Sequence, residues 1–266
     1  MNGGLEVRVE GTRVVRLVTT PPIAAKVLPG PVGPVLMLVG SAAGLLTGDR
    51  LRIWIDLAPG SRLEVRTTAA TIAHPCRDGE TTALDVECHV GAGAQLVWLP
   101  EPLIACAGCR HHGRARVRLE RGARAVWLDT LTLGRTGESA GPVEQRLDVE
   151  LEGRPLLREG LRLGTEPGNA GPPGWDGPAV VGGHRHVAAL HLLGRRLPED
   201  SPGTMPLAGP GTTARFLAHR GDELARKVGA VLPRFLQSCR DPSEPVGPDA
   251  ARAARAGERL QEAVQV

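Results

Sequence analysis

Apolar residues recur at every second position in a series of short runs along the chain. Leu51, Ile53, Ile55 and Leu57 form one such run, which indicates a β-strand with one buried and one solvated face. Each run is followed by a short turn ending in glycine and by a second alternating run. Four such units occupy residues 51–67, 83–99, 115–131 and 146–160, with key glycines Gly60, Gly93, Gly122 and Gly153 spaced by 33, 29 and 31 residues. A further copy around Gly11 opens the chain.

This repeat predicts the architecture. A unit of about 30 residues that cannot bury its own apolar face is expected to stack on its neighbours. We therefore expect a mainly β protein with an elongated, helical, β-solenoid-like sheet body. A large β-sandwich is the alternative, because alternation alone does not separate the two. Glycine adopts the positive φ that short hairpin loops require, so each unit is interpreted as two strands joined by a hairpin-like turn.

The pattern changes after residue 163. Two Gly/Pro-rich loops flank one more strand at 187–194, and the chain then becomes helical. Leu224, Val228, Val231, Leu232 and Phe235 fall on one face of an amphipathic helix near residues 222–236, and a few C-terminal helices are expected. We interpret residues 1–240 as one β-rich domain. Residues 241–266 form a Pro/Ala-rich tail that is either a surface helix or mobile.

Composition and charge argue against a disulfide-linked, a nucleic-acid-binding and a membrane-spanning protein. The 266 residues carry a formal net charge of +3 and include no Tyr and five cysteines. An odd cysteine count without a secretion signal makes a disulfide framework unexpected, and the charge is too small to indicate nucleic acid binding. No apolar run approaches the roughly 18 to 20 residues of a membrane span. We expect a cytoplasmic protein that binds neither nucleic acid nor membrane.

The stretch CAGCRHH, residues 106–112, raises the question of a metal site. Cys106 and Cys109 flank two small residues, so a two-residue hairpin turn would place the thiols on adjacent strands. His111 or His112 could then add a nitrogen ligand for a soft or borderline metal. The second half of a structural zinc pattern is missing, however. Small buried thiols are the alternative, since free cysteine is often buried as a minor hydrophobe.

A basic stripe follows this motif. Arg110, His112, Arg114, Arg116 and Arg118 occupy alternate positions, so they share one face of a strand. Phosphate binding would need interleaved aromatic residues or a glycine-rich cradle. We interpret the stripe as a solvated face, with an acidic protein partner as the second interpretation. The common catalytic motifs are missing from the sequence, which favours a protein that is not an enzyme.

Two stretches resemble a known family. Residues 44–71 (GLLTGDRLRIWIDLAPGSRLEVRTTAAT) and 96–138 (LVWLPEPLIACAGCRHHGRARVRLERGARAVWLDTLTLGRTGE) are similar to successive elements of the urease accessory protein D family, UreD or UreH. The order and spacing of these elements agree across roughly residues 5–163. The resemblance implies an elongated helical β-sheet body and a non-enzymatic scaffold for assembly of urease's nickel centre. It also implies binding to UreF, and through it to the nickel-delivering GTPase UreG and apo-urease subunits, in an oligomeric complex.

The resemblance further implies an internal passage for nickel, which is held transiently rather than as a tightly bound cofactor. Its candidate residues here are Asp49, Thr71 and Asp129. The physical reason is that a cation in transit needs oxygen groups that hold it weakly. The alternative is that Asp49 caps a turn and Thr71 fills a strand position. Glu101 stands where the family usually has Gln, and Cys106 and Cys109 stand where it has residues that do not bind metals.

Two further hypotheses stay open from the sequence. An independent Ni/Zn storage module would use Cys106, Cys109 and the neighbouring histidines. A β-solenoid enzyme acting on an acidic polymer would use the basic stripe. For the scaffold hypothesis, we expect the apolar helix face to exceed what the β body can cover and therefore to contact a partner. Its residues are Leu224, Val228, Val231, Leu232 and Phe235.

Overall fold

The computed structural model describes residues 2–42, 44–77, 79–165, 174–198 and 202–240. The predicted tail, 241–266, lies outside them. The elements, in chain order, are β1 (Asn2–Glu10), β2 (Arg13–Thr20), β3 (Ile23–Leu28), β4 (Val35–Gly40), β5 (Arg50–Leu57), β6 (Arg62–Thr67), β7 (Thr71–Ala73), β8 (Thr82–Val90), β9 (Gln95–Leu99), β10 (Leu103–Ala105), β11 (His111–Leu119), β12 (Arg124–Leu133), β13 (Val143–Leu151), β14 (Arg154–Leu163), β15 (His186–Leu193), β16 (Met205–Pro206), β17 (Gly211–Ala218) and α1 (Gly221–Cys239).

The strands form two facing sheets. Sheet A has the order β14-β13-β11-β8-β5-β1-β2, and sheet B has the order β16-β17-β15-β12-β9-β6-β4-β3, with β10 and β7 joined to it beside β12. The units around Gly60, Gly93 and Gly122 each contribute their first strand to sheet A and their second to sheet B. Successive units pair in parallel, as in β5, β8 and β11 and in β6, β9 and β12. The β-solenoid-like body expected from the sequence is therefore confirmed.

The parallel register explains why the repeat is stable. Ile55 pairs with Cys88, Cys88 with Val117, and Val117 with Val149, and all four side chains are buried between the sheets. Each unit thus covers the apolar face of its neighbour. Burial of such a side chain contributes roughly 1.5–3 kcal/mol relative to leaving it exposed.

Antiparallel strands close both ends of the parallel stack. At one end β2 pairs with β1 and β3 with β4. At the other end β14 pairs with β13, and β15 and β17 extend sheet B beyond β12. The parallel strands at each end of the stack therefore have antiparallel neighbours.

The glycine turns are of two kinds, which corrects the hairpin interpretation. Gly11 and Gly153 lie in true antiparallel hairpins. Gly60, Gly93 and Gly122 instead lie in arches that carry the chain from one sheet to the other. All five have positive φ, between 59° and 73°, so the backbone requirement is the same. The arches also bond to one another, with Gly60 N–H donating to Ala92 O and Gly93 N–H to Arg121 O.

One α-helix is present among the described residues, where a few were expected. Helix α1 lies on the outer face of sheet B and has Asp222 and Glu223 in its first turn, where acidic side chains favour the helix dipole. Leu224, Val228 and Phe235 pack with Leu190 and Leu192 of β15 in a second apolar core. No helix in the described ranges combines the length and apolar character needed to cross a membrane.

Candidate functional site

A cavity of about 370 Å³ lies between the two sheets. Strands β5, β8, β11 and β13 line one wall, and β4, β7 and β12 with neighbouring segments line the other. Small residues leave the space open, because Gly113 and Ala115 occupy inward positions of β11, where larger side chains would fill it. Trp98 and Trp127 stack against each other in the wall, with ring centroids 4.9 Å apart. The cavity is thus largely apolar, with a few polar groups.

The polar residues that line this cavity include Gln145, Arg114 and Arg146 as well as four that the sequence analysis had named. Two of these four, Thr71 and Asp129, are residues that the resemblance assigned to a nickel passage. Glu101 was noted only as a departure from the family, and His111 belonged to the suspected metal motif.

Asp129 lies in the wall formed by sheet B. It belongs to β12, and the indole Nε1–H of Trp127 donates to its Oδ2 over 2.9 Å. Burial raises the pKa of the Asp129 carboxyl to about 6, and the nearby Glu159 acts in the same direction. The carboxylate is therefore the main form at neutral pH, but a larger fraction of Asp129 is protonated there than of an exposed aspartate.

Glu101 and His111 also carry perturbed protonation. Burial raises the pKa of the Glu101 carboxyl, while Arg66 opposes this change. Burial lowers the pKa of His111 to about 4, so the imidazole is neutral at physiological pH. Its Nδ1 lies 2.8 Å from the hydroxyl of Thr82. A neutral imidazole can offer a nitrogen lone pair to a cation.

A second, smaller cavity adjoins the first, and Asp129 lines both. Glu159 and Arg215 face each other here, with Arg215 Nη2 at 2.6 Å from Glu159 Oε2. His191, fully buried, has Nε2 at 3.6 Å from the same oxygen. Burial lowers the pKa of His191 to about 3, and within the described structure neither ring nitrogen has a hydrogen-bond partner. The inter-sheet space therefore continues past Asp129 into a buried polar cluster.

Sequence reasoning missed this polar cluster. Glu159 occupies the same face of β14 as Leu157 and Leu161, so its inward orientation was visible in the pattern. His191 was visible only as a polar residue in the apolar strand β15, and all of the strand's residues from Val187 onward are buried.

Asp49, the remaining passage candidate, does not line the cavity. It is buried at the start of β5, where its Oδ2 accepts a hydrogen bond from Leu46 N–H over 2.9 Å. Its own N–H donates to Leu46 O. This is the turn-capping arrangement that was the alternative interpretation. Thr71, by contrast, both begins β7 and faces the cavity.

The CAGCRHH motif is folded differently from its predicted hairpin. Strand β10 pairs with β7 and β12, whereas β11 pairs with β8 and β13. Residues 106–110 therefore cross between the sheets, and the expected pairing of the flanking strands is wrong. Cys106 and Cys109 are buried at this crossing, whereas His111 faces the cavity and His112 is exposed beside Glu144.

No group of three or more His, Cys, Asp or Glu side chains among the described residues is placed to hold a metal ion. This arrangement gives no support to a metal site made of Cys106, Cys109, His111 and His112. A tight storage site is therefore not favoured.

The basic stripe is neutralised by neighbouring strands. Arg116 lies near Glu87 of β8, and Arg114 and Arg118 lie near Asp148 and Glu150 of β13, at 3.7–4.0 Å. The side chains face solvent, as the first interpretation expected. Exposed pairs at such distances contribute about 0–1 kcal/mol each. Because the opposing charges alternate across the strands, the stripe presents no uncompensated basic groove to an acidic polymer.

The apolar face of α1 is covered by the chain itself. Leu224, Val228, Val231 and Phe235 are buried against sheet B, and Leu232 is partly buried beside them. The β body therefore does cover this face, contrary to the expectation that led us to assign it to a partner. A partner could reach these side chains only by displacing the helix.

Comparison with known proteins identifies relatives of this chain. The family model described as "UreD urease accessory protein" matches residues 2–245. The chain is similar to Urease accessory protein UreD of Streptomyces avermitilis, with 39% identity covering 69% of this chain and 75% of the relative. It is similar to the protein of the same name from Streptomyces coelicolor, with 36% identity covering 74% and 80%. It is also similar to that of Parafrankia sp., with 33% identity covering 91% of each.

These relatives are named accessory proteins rather than enzymes, in agreement with the prediction that the chain is not an enzyme. The family match spans both sheets, the cavity between them and helix α1. The chain belongs to the UreD family of urease accessory proteins.

Proposed function

We propose that this protein is a non-catalytic scaffold in the maturation of urease, and that nickel on its way to the urease active site passes through the space between its two sheets. The observation that supports this most is the inter-sheet cavity, whose lining includes Thr71, Glu101, His111 and Asp129, groups that can bind a cation. Family membership supports the urease role. Nickel is the cargo here, not a resident cofactor.

The chemistry of the cavity suits transfer better than storage. A borderline divalent cation binds carboxylate, hydroxyl and imidazole groups, and each is present in the cavity. They are not gathered into a cluster of three among the described residues, so each contact would be weak. Weak successive sites allow a cation to enter and also to leave.

Asp129 is the proposed transfer point between the two cavities. It lines both of them, and its carboxyl ionises near pH 6, so it can offer a negative charge to the cation at neutral pH. Glu159 stands on the far side with Arg215. A cation arriving there would compete with the guanidinium of Arg215 for the Glu159 carboxylate, which keeps that contact reversible as well.

We further propose that the protein binds UreF and, through it, UreG and apo-urease subunits in the cytoplasm. Support for a protein partner comes from the end of the solenoid where β2 and β3 are the outermost strands. Val15, Val18 and Val27 are each at least 40% exposed there. Edge strands with exposed apolar side chains are ready sites for association.

The test is urease activation in cells whose urease operon lacks this gene. Wild-type protein is expected to restore urease activity and the nickel content of purified urease, and to co-purify with UreF. Activation of urease without this gene, or failure of wild type to restore it when the cognate partners are present, would overturn the proposal.

A further inference from the structure

Three of the five cysteines meet where β7 and β10 end. Cys106 and Cys109 span a four-residue turn in which Cys109 N–H donates to Cys106 O over 3.1 Å. Gly108, the third residue, has φ of 69°, as a type II turn requires. Such a turn holds its first and last Cα atoms within about 7 Å. All five cysteines are reduced in the structure.

Cys76 packs against the turn that carries Cys109. Its N–H donates to Gly108 O over 2.9 Å, and its Sγ lies 3.7 Å from Arg110 O. Gly108 and Arg110 are the two chain neighbours of Cys109, so Cys76 and Cys109 lie on adjacent segments. A disulfide needs Cα atoms about 4.4–6.8 Å apart, a spacing that segments joined by a backbone hydrogen bond can provide.

The two thiols differ in access. Cys76 is half-buried, whereas Cys109 and Cys106 are buried. The loop carrying Gly141 packs closely over the turn: Gly141 N–H donates to Cys106 O, and a Cβ at Gly141 would lie 2.5 Å from the backbone of Cys109. A reagent from solution therefore reaches Cys76 first, and Cys109 is shielded by its own loop.

We propose that Cys76 and Cys109 form a reversible thiol–disulfide site that reacts with low-molecular-mass disulfides such as oxidised glutathione. This inference is independent of the proposed role in urease maturation. It uses Cys76 as the entry thiol and Cys109 as the resolving thiol. Cys106, on the other side of the turn, takes no part in the bond.

The reaction balances in two exchange steps. The Cys76 thiolate attacks one sulfur of the small disulfide, the S–S bond breaks, and the released thiolate takes up the proton lost by Cys76. The Cys109 thiolate then attacks the Cys76 sulfur, forms the intramolecular bond and releases the second small thiol. Two protein thiols are oxidised, and one small disulfide is reduced to two thiols.

The experiment is disulfide mapping of the full-length protein treated with oxidised glutathione. The sample is quenched in acid, its remaining thiols are alkylated, and it is digested and analysed by mass spectrometry. We expect a peptide pair joined through Cys76 and Cys109, which dithiothreitol separates. A bond between other cysteines, a glutathione adduct that persists on wild-type Cys76, or five thiols that all stay reduced would overturn the proposal.

Variants separate the two steps. Cys109→Ala is expected to accumulate a glutathione adduct on Cys76. Cys76→Ala, at a half-buried position, is expected to lose both adduct and bond. Cys88→Ala is the matched control, because Cys88 is a buried cysteine of β8 outside the cluster, and it is expected to react as wild type. Bond formation that survives Cys76→Ala would contradict the assignment of the entry thiol.

Discussion

Truncation of Phe235 tests whether helix α1 is part of the fold or a surface for a partner. The side chain is fully buried, at 0% exposure, in the core between α1 and sheet B. Phe235→Ala would remove that buried area and leave a void, because the neighbouring strands are fixed by their hydrogen bonds. Such changes cost about 3–5 kcal/mol of the free energy of unfolding. For chains of this size the melting temperature falls roughly 2–4 °C per kcal/mol, which predicts a drop on the order of 10 °C.

Urea unfolding of the purified protein, followed by circular dichroism, measures this loss. Gln237→Ala is the matched control, since Gln237 is exposed on the same helix, and it is expected to change stability by less than about 0.5 kcal/mol. If Phe235→Ala unfolds at the wild-type urea concentration but no longer binds a partner, the face of α1 is a docking surface and our interpretation of the core is refuted.

Two further changes test the cavity and the cysteine turn. Between about pH 4 and pH 6 the native state keeps a proton on Asp129 that the unfolded chain releases, because its folded pKa of about 6 exceeds the ordinary 3.8. The stability that this proton contributes is complete below pH 4 and is lost as the pH rises to 6, by about 3 kcal/mol. Asp129→Asn is expected to remove this pH dependence of the unfolding free energy, measured by urea unfolding across pH. An unchanged pH dependence in Asp129→Asn would contradict the buried carboxyl. Gly141→Ala places a Cβ 2.5 Å from Cys109 N and O and is expected to lower the unfolding free energy by about 1–3 kcal/mol or more. Gly160→Ala is the control, because a Cβ there meets no atom within 4 Å. Equal effects of the two substitutions would refute the close packing of the loop that carries Gly141.

The strand pattern predicted the repeat and its stacking, because each unit's apolar face is readable from alternation. It did not distinguish an arch from a hairpin. Gly60 in an arch and Gly153 in a hairpin have nearly the same positive φ, 70° and 73°. The two differ in the pairing of the strand that follows the turn. In a hairpin this strand pairs with the one before the turn, whereas after an arch it pairs with a strand of another unit, about 30 residues away in sequence. The same limit explains the wrong pairing expected around Cys106 and Cys109.

The site was predicted only in part. Thr71 and Asp129 entered through resemblance, and the structure places both on one cavity, while Asp49 caps a turn. Glu159 and His191 were missed because a polar side chain in an apolar pattern does not reveal which charged group it faces. For α1 the periodicity identified the apolar face correctly, but the covering surface, sheet B, is assembled from strands distant in sequence.

The most direct test of the account is the nickel content of urease matured with a protein whose cavity has been filled. Gly113 occupies an inward position of β11, where an added Cβ meets ordinary van der Waals contacts of 3.5 Å or more, so Gly113→Leu would place its side chain in the cavity. His112→Ala on the exposed face of the same strand is the matched control. Both variants should fold and co-purify with UreF. We predict that urease matured with Gly113→Leu contains several-fold less nickel than urease matured with wild type or His112→Ala; full nickel loading with the filled cavity would contradict passage between the sheets.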